Sequence, residues 1–296
     1  MSTYNIDKTI NFGIELELVN IDRATAADAV ASVIGGQVMR GYSLSVRAPD
    51  GRIWKVVRDA SLSHHSGKTC EIVSPICTYS DIETVQAIAR ACRRRGAQAN
   101  NTCGIHVHLD GARFNPKQAA NLVRLSHKWD NFLTAALANQ HRARYCKPTR
   151  TDLIEAIDAN WRNLNDETLN REWYRPTNGG RYTPNAHHYN DTRYHAMNLH
   201  NRWYRGTIEF RHFNGTTHAG KIKSYIQLAI GMGSRALAAS RKMGATRRPI
   251  VASKARYDFR VFLIHCGLIG PEFKTARLHL LANFGGAYNG EARRAA

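Results

Sequence analysis

The sequence predicts an α+β fold built on a largely antiparallel sheet flanked by helices, with a basic helical C-terminal part. Strand and helix patterns follow one another irregularly, with tight hairpin-like links and no repeated βαβ unit. Three segments alternate strictly between two faces, as an extended strand does. Gly104-Ile105-His106-Val107-His108-Leu109 puts two histidines on one face and three aliphatic residues on the other. Phe12-Gly13-Ile14-Glu15-Leu16-Glu17-Leu18 does the same with two carboxylates, and Thr207-Ile208-Glu209-Phe210-Arg211 with a carboxylate and a guanidinium. Burying one face of a sheet requires only polar residues on the other. It does not require Glu-x-Glu, His-x-His and Glu-x-Arg.

Taken in order, residues 9–20 form the first expected strand. A helix over 24–34 follows and stops at Gly35-Gly36. Strands are expected over 37–43, 53–58 and 69–74, with 47–52 as a turn and 59–68 as a loop. A second helix starts at Ser80, where Ser80-Asp81-Ile82-Glu83 matches a capping box, and runs to Arg95 before Gly96. The His-x-His strand comes next. Asn115 and Pro116 then open a third helix that reaches about Gln140. Residues 141–192 read as irregular, with a short helix near 151–160 and a long loop over 177–194, the kind of segment that often carries substrate contacts. Strands over 194–200 and 206–213 precede helices at about 217–243, 253–266 and 271–283.

With 296 residues and 43% apolar content, the chain can bury a large core, and disorder is not the expectation. No run of 18 uncharged apolar residues occurs and the N-terminus has no apolar signal region, so no membrane span is expected and the protein reads as cytoplasmic. The six cysteines show no CxxC spacing and read as reduced thiols. The net charge of +19 is lopsided: residues 193–296 hold 18 Lys/Arg against 4 Asp/Glu. Such a field favours an anionic partner, nucleic acid among them, or else is a solvated basic face.

Glu15 and Glu17 on one strand face repel each other unless a cation lies between them. Mg²⁺ takes carboxylate oxygens and shares its site with phosphates. Alone, the pair reads sooner as an exposed edge strand with two solvated acids. His106 and His108 can ligate a metal or serve as satisfied sheet histidines. Glu209 beside Arg211 is a surface ion pair or a metal ligand beside a phosphate-binding arginine, with Arg193, Arg202 and Arg205 just upstream. Glu71 and Asp59 read as turn, cap or functional acids. There is no Walker loop, Rossmann fingerprint or Gly-x-Ser-x-Gly.

In this order the motifs resemble the amidoligase family, relatives of glutamine synthetase and γ-glutamylcysteine synthetase among the carboxylate–amine ligases. The matching segments are Gly13-Ile14-Glu15-Leu16-Glu17, Trp54 to Leu62, Glu71-Ile72-Val73-Ser74-Pro75, Cys103 to His108 and Thr207 to Arg211, and Arg193 to Asn198 resembles the stretch before the last of them. The resemblance spans residues 12 to about 230. Ala60 stands where the family more often has Gly, and residues 141–192 and those after about 240 match no motif. A catalytic domain over 9–235 and a basic helical extension over 236–296 follow from this division.

The resemblance implies a curved antiparallel sheet of glutamine synthetase-like catalytic type that holds ATP and divalent metal, Mg²⁺ or Mn²⁺. It implies metal roles for Glu15, Glu17, Glu71, His106 and Glu209, and phosphate contacts for His108, Arg211 and Arg205, with Arg193 beside them. The implied reaction is ATP-dependent amide or isopeptide formation through an acyl phosphate, with a carboxylate and an amine as substrates, an anionic or macromolecular substrate among the candidates. Asp59 is the candidate for accepting the amine proton, and Arg205 and Arg211 for stabilising charge on the transferred phosphoryl group. Two other classes stay open: a basic nucleic-acid-binding protein without catalysis, and a metal oxygenase with iron on His106 and His108, which would want a carboxylate a few residues after His108 where Asp110 instead follows at once.

Overall fold

The computed structural model describes residues 5–41, 43–175 and 187–285. Eight strands form one open sheet in which every neighbouring pair is antiparallel. They are β1 (Phe12–Val19), β2 (Gln37–Arg40), β3 (Leu44–Arg47), β4 (Ile53–Val57), β5 (Thr69–Val73), β6 (Gly104–Asp110), β7 (Met197–Asn198) and β8 (Thr207–Asn214), in the spatial order β2-β3-β4-β5-β1-β6-β8-β7. β1 therefore lies at the centre, between β5 and β6. The expectation of an edge strand carrying solvated acids does not hold.

The aliphatic faces of the three alternating strands point the same way. Ile14, Leu16, Leu18, Ile105, Val107, Leu109, Ile208 and Phe210 are all buried in one core with the helices behind the sheet. Among these are α1 (Arg23–Ile34), α2 (Ile82–Arg94), α3 (Pro116–Leu137) and α7 (Ala219–Leu237). Local signals set most of their ends. Asp22 accepts from Thr25 N at 2.9 Å and Gly35, at φ 65°, stops α1. Asn115 and Gln118 form a reciprocal capping box at the start of α3, with Pro116 at its first position.

Several elements differ from expectation. The second helix is capped two residues earlier than expected: Thr78 and Asp81 form the box around a 3₁₀ turn, and α2 begins at Ile82. Asp81 is fixed there because Arg52 grips it at 2.9 and 3.0 Å. The strand expected over 37–43 ends at Arg40 and turns into the hairpin partner β3; residue 42 lies outside the described residues. The short helix expected near 151–160 is present as α4 (Thr151–Asn160), but the segment read as irregular beyond it holds a second helix, α5 (Asp166–Trp173). Of the loop expected over 177–194, residues 177–186 lie outside the described residues. The strand expected over 194–200 shrinks to β7 and gives way to α6 (His200–Tyr204).

The C-terminal part supplies α8 (Ala255–His265) and α9 (Lys274–Leu280). Much of its positive charge is engaged within the fold. Lys242 pairs with Asp158 at 2.7 Å and Arg248 with Asp258 at 2.8 Å. Arg247, Arg256 and Arg277 donate to the backbone carbonyls of Thr149, of Leu281 and Phe284, and of Leu268 and Gly270. Arg241, Lys254 and Arg260 make no side-chain ion pair or hydrogen bond to another described residue. All six cysteines are unbridged, and no helix among the described residues is long and apolar enough to cross a membrane.

His212 on β8 is buried behind the sheet, 3.3 Å from Ser126 Oγ. Burial, then the charge of Arg142, pushes its pKa down to about 3. A base depressed in this way favours the folded state only while neutral. Its contribution is complete above the unfolded value near 6.5 and is lost as pH falls towards about 3. Urea unfolding at pH 7 and pH 5 is expected to show wild type losing up to about 1.4 kcal/mol per pH unit more than His212→Asn. Parallel losses in the two proteins would remove His212 as the cause.

Candidate active site

Alternation brings the charged residues to one face of each strand, and register brings the strands' charged residues together. Glu15 lies opposite His106, Glu17 opposite Glu71, and His108 opposite Glu209. Residues directly opposite in antiparallel strands share a face. The result is a row of acids and imidazoles across β5, β1, β6 and β8 on the side of the sheet away from the core helices. Glu17 is 4% and Glu209 2% exposed, so these acids are not a solvated surface.

His106 Nδ1 lies 2.8 Å from Glu15 Oε2 and 3.5 Å from Glu209 Oε1, and its Nε2 lies 3.6 Å from Glu17 Oε1. His108 Nε2 lies 3.3 Å from Glu15 Oε1, and its Nδ1 3.2 Å from Thr207 Oγ1. Glu209 is held from both sides. Arg211 donates to Oε1 at 2.6 Å, while Asn198 and Asn201 donate to Oε2 at 2.6 and 2.7 Å. The Gly104 amide donates to Glu17 Oε2.

Burial opposes ionisation of Glu15, but the charges of His108 and His106 and the hydrogen bond with His106 outweigh it and hold the carboxyl well below its ordinary range. Glu209 is held low against burial by Arg211 and the two imidazoles. Glu15 in turn raises His108 against the opposing effect of burial. Glu71 is the exception. Burial and the charges of Glu15, Glu17 and Asp59 push it up to about 10.

The donor set fits a divalent cation. Glu15, His108 and Glu209 each place one ligand atom within 4.8 Å of the others', and so do Glu15, Glu71 and His106. His108 Nε2 is buried without a hydrogen-bond partner, because the nearby Glu15 oxygen is not aligned with it. An orphaned imidazole nitrogen among crowded carboxylates is an environment that a cation would satisfy. Glu17 belongs to neither group of three, since its carboxylate is engaged with the Gly104 amide. Asp110 accepts from Ala112 N at 3.0 Å and starts a 3₁₀ turn, and it is absent from both groups.

Among the remaining candidates, Arg205 reaches the cluster, 3.3 Å from Glu15 Oε1, with its guanidinium over Tyr204. Arg193 donates to His188 O and Tyr194 OH and lies over the Tyr189 and Tyr194 rings, the second of which also lies under Arg211. Asp59 sits beyond the end of β4, accepting from Ser61 N at 2.7 Å, in a cleft with Arg23, Arg58 and Lys68. It lies beyond Glu71, at the opposite end of the acidic row from Arg211. Four strand spacings separate β4 from β8, about 19 Å at 4.8 Å each.

Arg142 was not a sequence candidate, because the stretch around it matches no motif. It ends a 3₁₀ turn (Gln140–Arg142) and is 4% exposed. The pairing of β6 with β8 slips between Ile105 and Val107, so β8 carries an extra residue there. Arg142 donates to the carbonyls of Phe213 and Arg211, and Asn139 donates to that of His212 at 2.7 Å. Together they cap the three carbonyls around this irregularity. The same guanidinium lies 3.5 Å from His106 Nε2, in space that a side chain at position 104 would occupy. The local sequence signal was Gly104 itself, a glycine inside a strand.

A family model described as "Putative amidoligase enzyme" matches residues 8–232. The match takes in every strand of the sheet and ends before α8 and α9. Comparison with curated proteins gives no match to this chain.

Proposed function

The chain belongs to the amidoligase family, and from this we propose that it is an ATP-dependent carboxylate–amine ligase that forms an amide or isopeptide bond through an acyl phosphate. The observation that carries the reading is the buried cluster of Glu15, Glu71, His106, His108 and Glu209, with Arg205 and Arg211 at its margin. On this reading the sheet is of the glutamine synthetase-like catalytic type, and its charged face takes ATP, a carboxylate and an amine.

A carboxylate is a poor electrophile at neutral pH. Transfer of the γ-phosphoryl group to it, with ADP as leaving group, gives an acyl phosphate that an amine attacks with release of phosphate. A divalent cation, Mg²⁺ or Mn²⁺, supplies charge neutralisation at phosphate oxygens when bound. Glu15 with His108 and Glu209, and Glu15 with Glu71 and His106, would hold it. Asn198, Asn201 and Arg211 fix the orientation of Glu209.

Arg211 is the candidate for the transferred phosphoryl group. Burial opposes its charge, but Glu209 and Glu15 raise its pKa, so it stays cationic. Its Nε donates to Tyr145 O and one Nη to Glu209, leaving its other Nη free to donate among the described residues. Arg205, more exposed, is placed to shield charge at the rim. Asp59 is the candidate base for the amine. Being so far from Arg211, it would serve a different part of the bound substrates.

ATP binding is therefore expected to require a divalent cation. Calorimetric titration of ATP should give measurable affinity with Mg²⁺ or Mn²⁺ and at least about tenfold weaker binding in chelator, the 1.4 kcal/mol that one lost strong contact represents. Equal affinity in metal-free buffer would overturn the proposed role of the acids.

A further inference from the structure

Behind β8, away from the acids, lies a second cleft of about 480 Å³ between α3, the segment 139–148 and the start of the C-terminal part. Two largely buried residues of its lining carry polar atoms without a partner among the described residues. Asp130 on α3 is 8% exposed, yet it makes no hydrogen bond or ion pair with any described residue. Burial raises its pKa against the attraction of Arg247 and His127, each of which is engaged elsewhere: Arg247 with Thr149 O and His127, and His127 with Ala245 O. His212 is 2% exposed, and its Nδ1 has no partner.

We propose that this cleft is a ligand site for a small aliphatic amine, its ammonium group paired with Asp130 and hydrogen-bonded near His212. An unpaired buried carboxylate calls for a cationic donor. His212, held neutral by burial, cannot supply that charge. A bare metal ion fits poorly. Asp130, His212 and the neighbouring Cys146 do not form a converging ligand group, and only the two groups on the acid face do so among the described residues. The volume suits several heavy atoms. Ala135, Ala196 and Ile250 offer apolar walls to an alkyl chain.

An occupant would also touch the segment that positions the active-site arginines. Tyr145 O accepts from Arg211 Nε, and Gln140 opens the turn that carries Arg142. This proposal is independent of the ligase reading, because its test needs neither ATP nor a substrate.

The test is calorimetric titration of the full chain with n-butylamine and with the neutral isostere n-butanol, followed by crystallography of amine-soaked protein. Saturable butylamine binding at least about tenfold tighter than butanol is expected, with density between Asp130 and His212. Asp130→Asn should weaken it about tenfold or more. Ala143→Trp, at an exposed lining position, should block it without altering the buried charge. Equal binding of amine and alcohol, unchanged binding in both variants, or density elsewhere would overturn the proposal.

Discussion

Replacing Glu15 by Gln is expected to lower ADP release with a competent carboxylate and amine by at least about 10²-fold, the scale seen when a charge-stabilising group is removed from an active site. Glu15 alone belongs to both groups of converging ligands, and it is also the partner of His106, His108 and Arg205. Gln keeps the size and one acceptor oxygen, so His106 keeps a hydrogen-bond partner and the fold should survive. Glu17 makes the useful comparison. It has the same chemistry two residues away, but its carboxylate serves the Gly104 amide and joins neither group. Glu17→Gln should therefore cost less activity than Glu15→Gln. Mn²⁺ affinity measured by electron paramagnetic resonance provides a second readout that needs no substrate: Glu15→Gln should weaken it and Glu17→Gln should do so less. If the two variants lost activity and Mn²⁺ affinity equally, the ligand groups would be wrongly drawn.

Gly104→Ala is expected to destabilise the protein by roughly 2–4 kcal/mol, lowering the melting temperature by roughly 3–6 °C. A methyl group at position 104 would fall within the Arg142 guanidinium. That group can move only by giving up its bonds to the carbonyls of Arg211 and Phe213, and charged hydrogen bonds in a buried setting are the expensive ones to lose. Gly13→Ala is the control. Gly13 stands opposite His108, but its added methyl would meet His108 Cβ at 3.7 Å, an ordinary contact, so stability should barely change. If both variants melted like wild type, Arg142 would not be held as described. A Gly104→Ala protein that folds should also show reduced activity, since Arg142 lies against His106 and the bulge that carries Arg211.

The structure changes how the basic end is to be read. As a sequence, residues 193–296 look like a broad anionic docking surface. In the fold, Lys242 and Arg248 pair with acids, and Arg247, Arg256 and Arg277 bind carbonyls left open by turns and helix ends. Neutralising Lys242, Arg247 and Arg248 would therefore disturb packing as well as surface potential. Arg241, Lys254 and Arg260 are the positions at which polymer binding can be tested separately from stability.

By itself the sequence determined which side chains share a face on each of the three key strands, where α1 stops and α3 begins, and that the chemistry on those faces is acidic, imidazole and guanidinium. These are local properties. A strand alternates every two residues whatever it pairs with, and a cap is read within a single turn. Only the tertiary structure decided that β1 lies between β5 and β6, so that Glu15 and Glu17 face histidines and a third carboxylate rather than water. It also decided that burial and neighbouring charges push Glu71 up, that Arg142 caps the bulge in β8, that Arg193 is engaged with His188 and two tyrosine rings, and that Asp59 and Arg211 lie at opposite ends of the row. Each of these depends on register, burial or a contact between residues far apart in the chain. The free energy of a buried charge depends on which groups packing places around it, and spacing along the sequence does not contain that information.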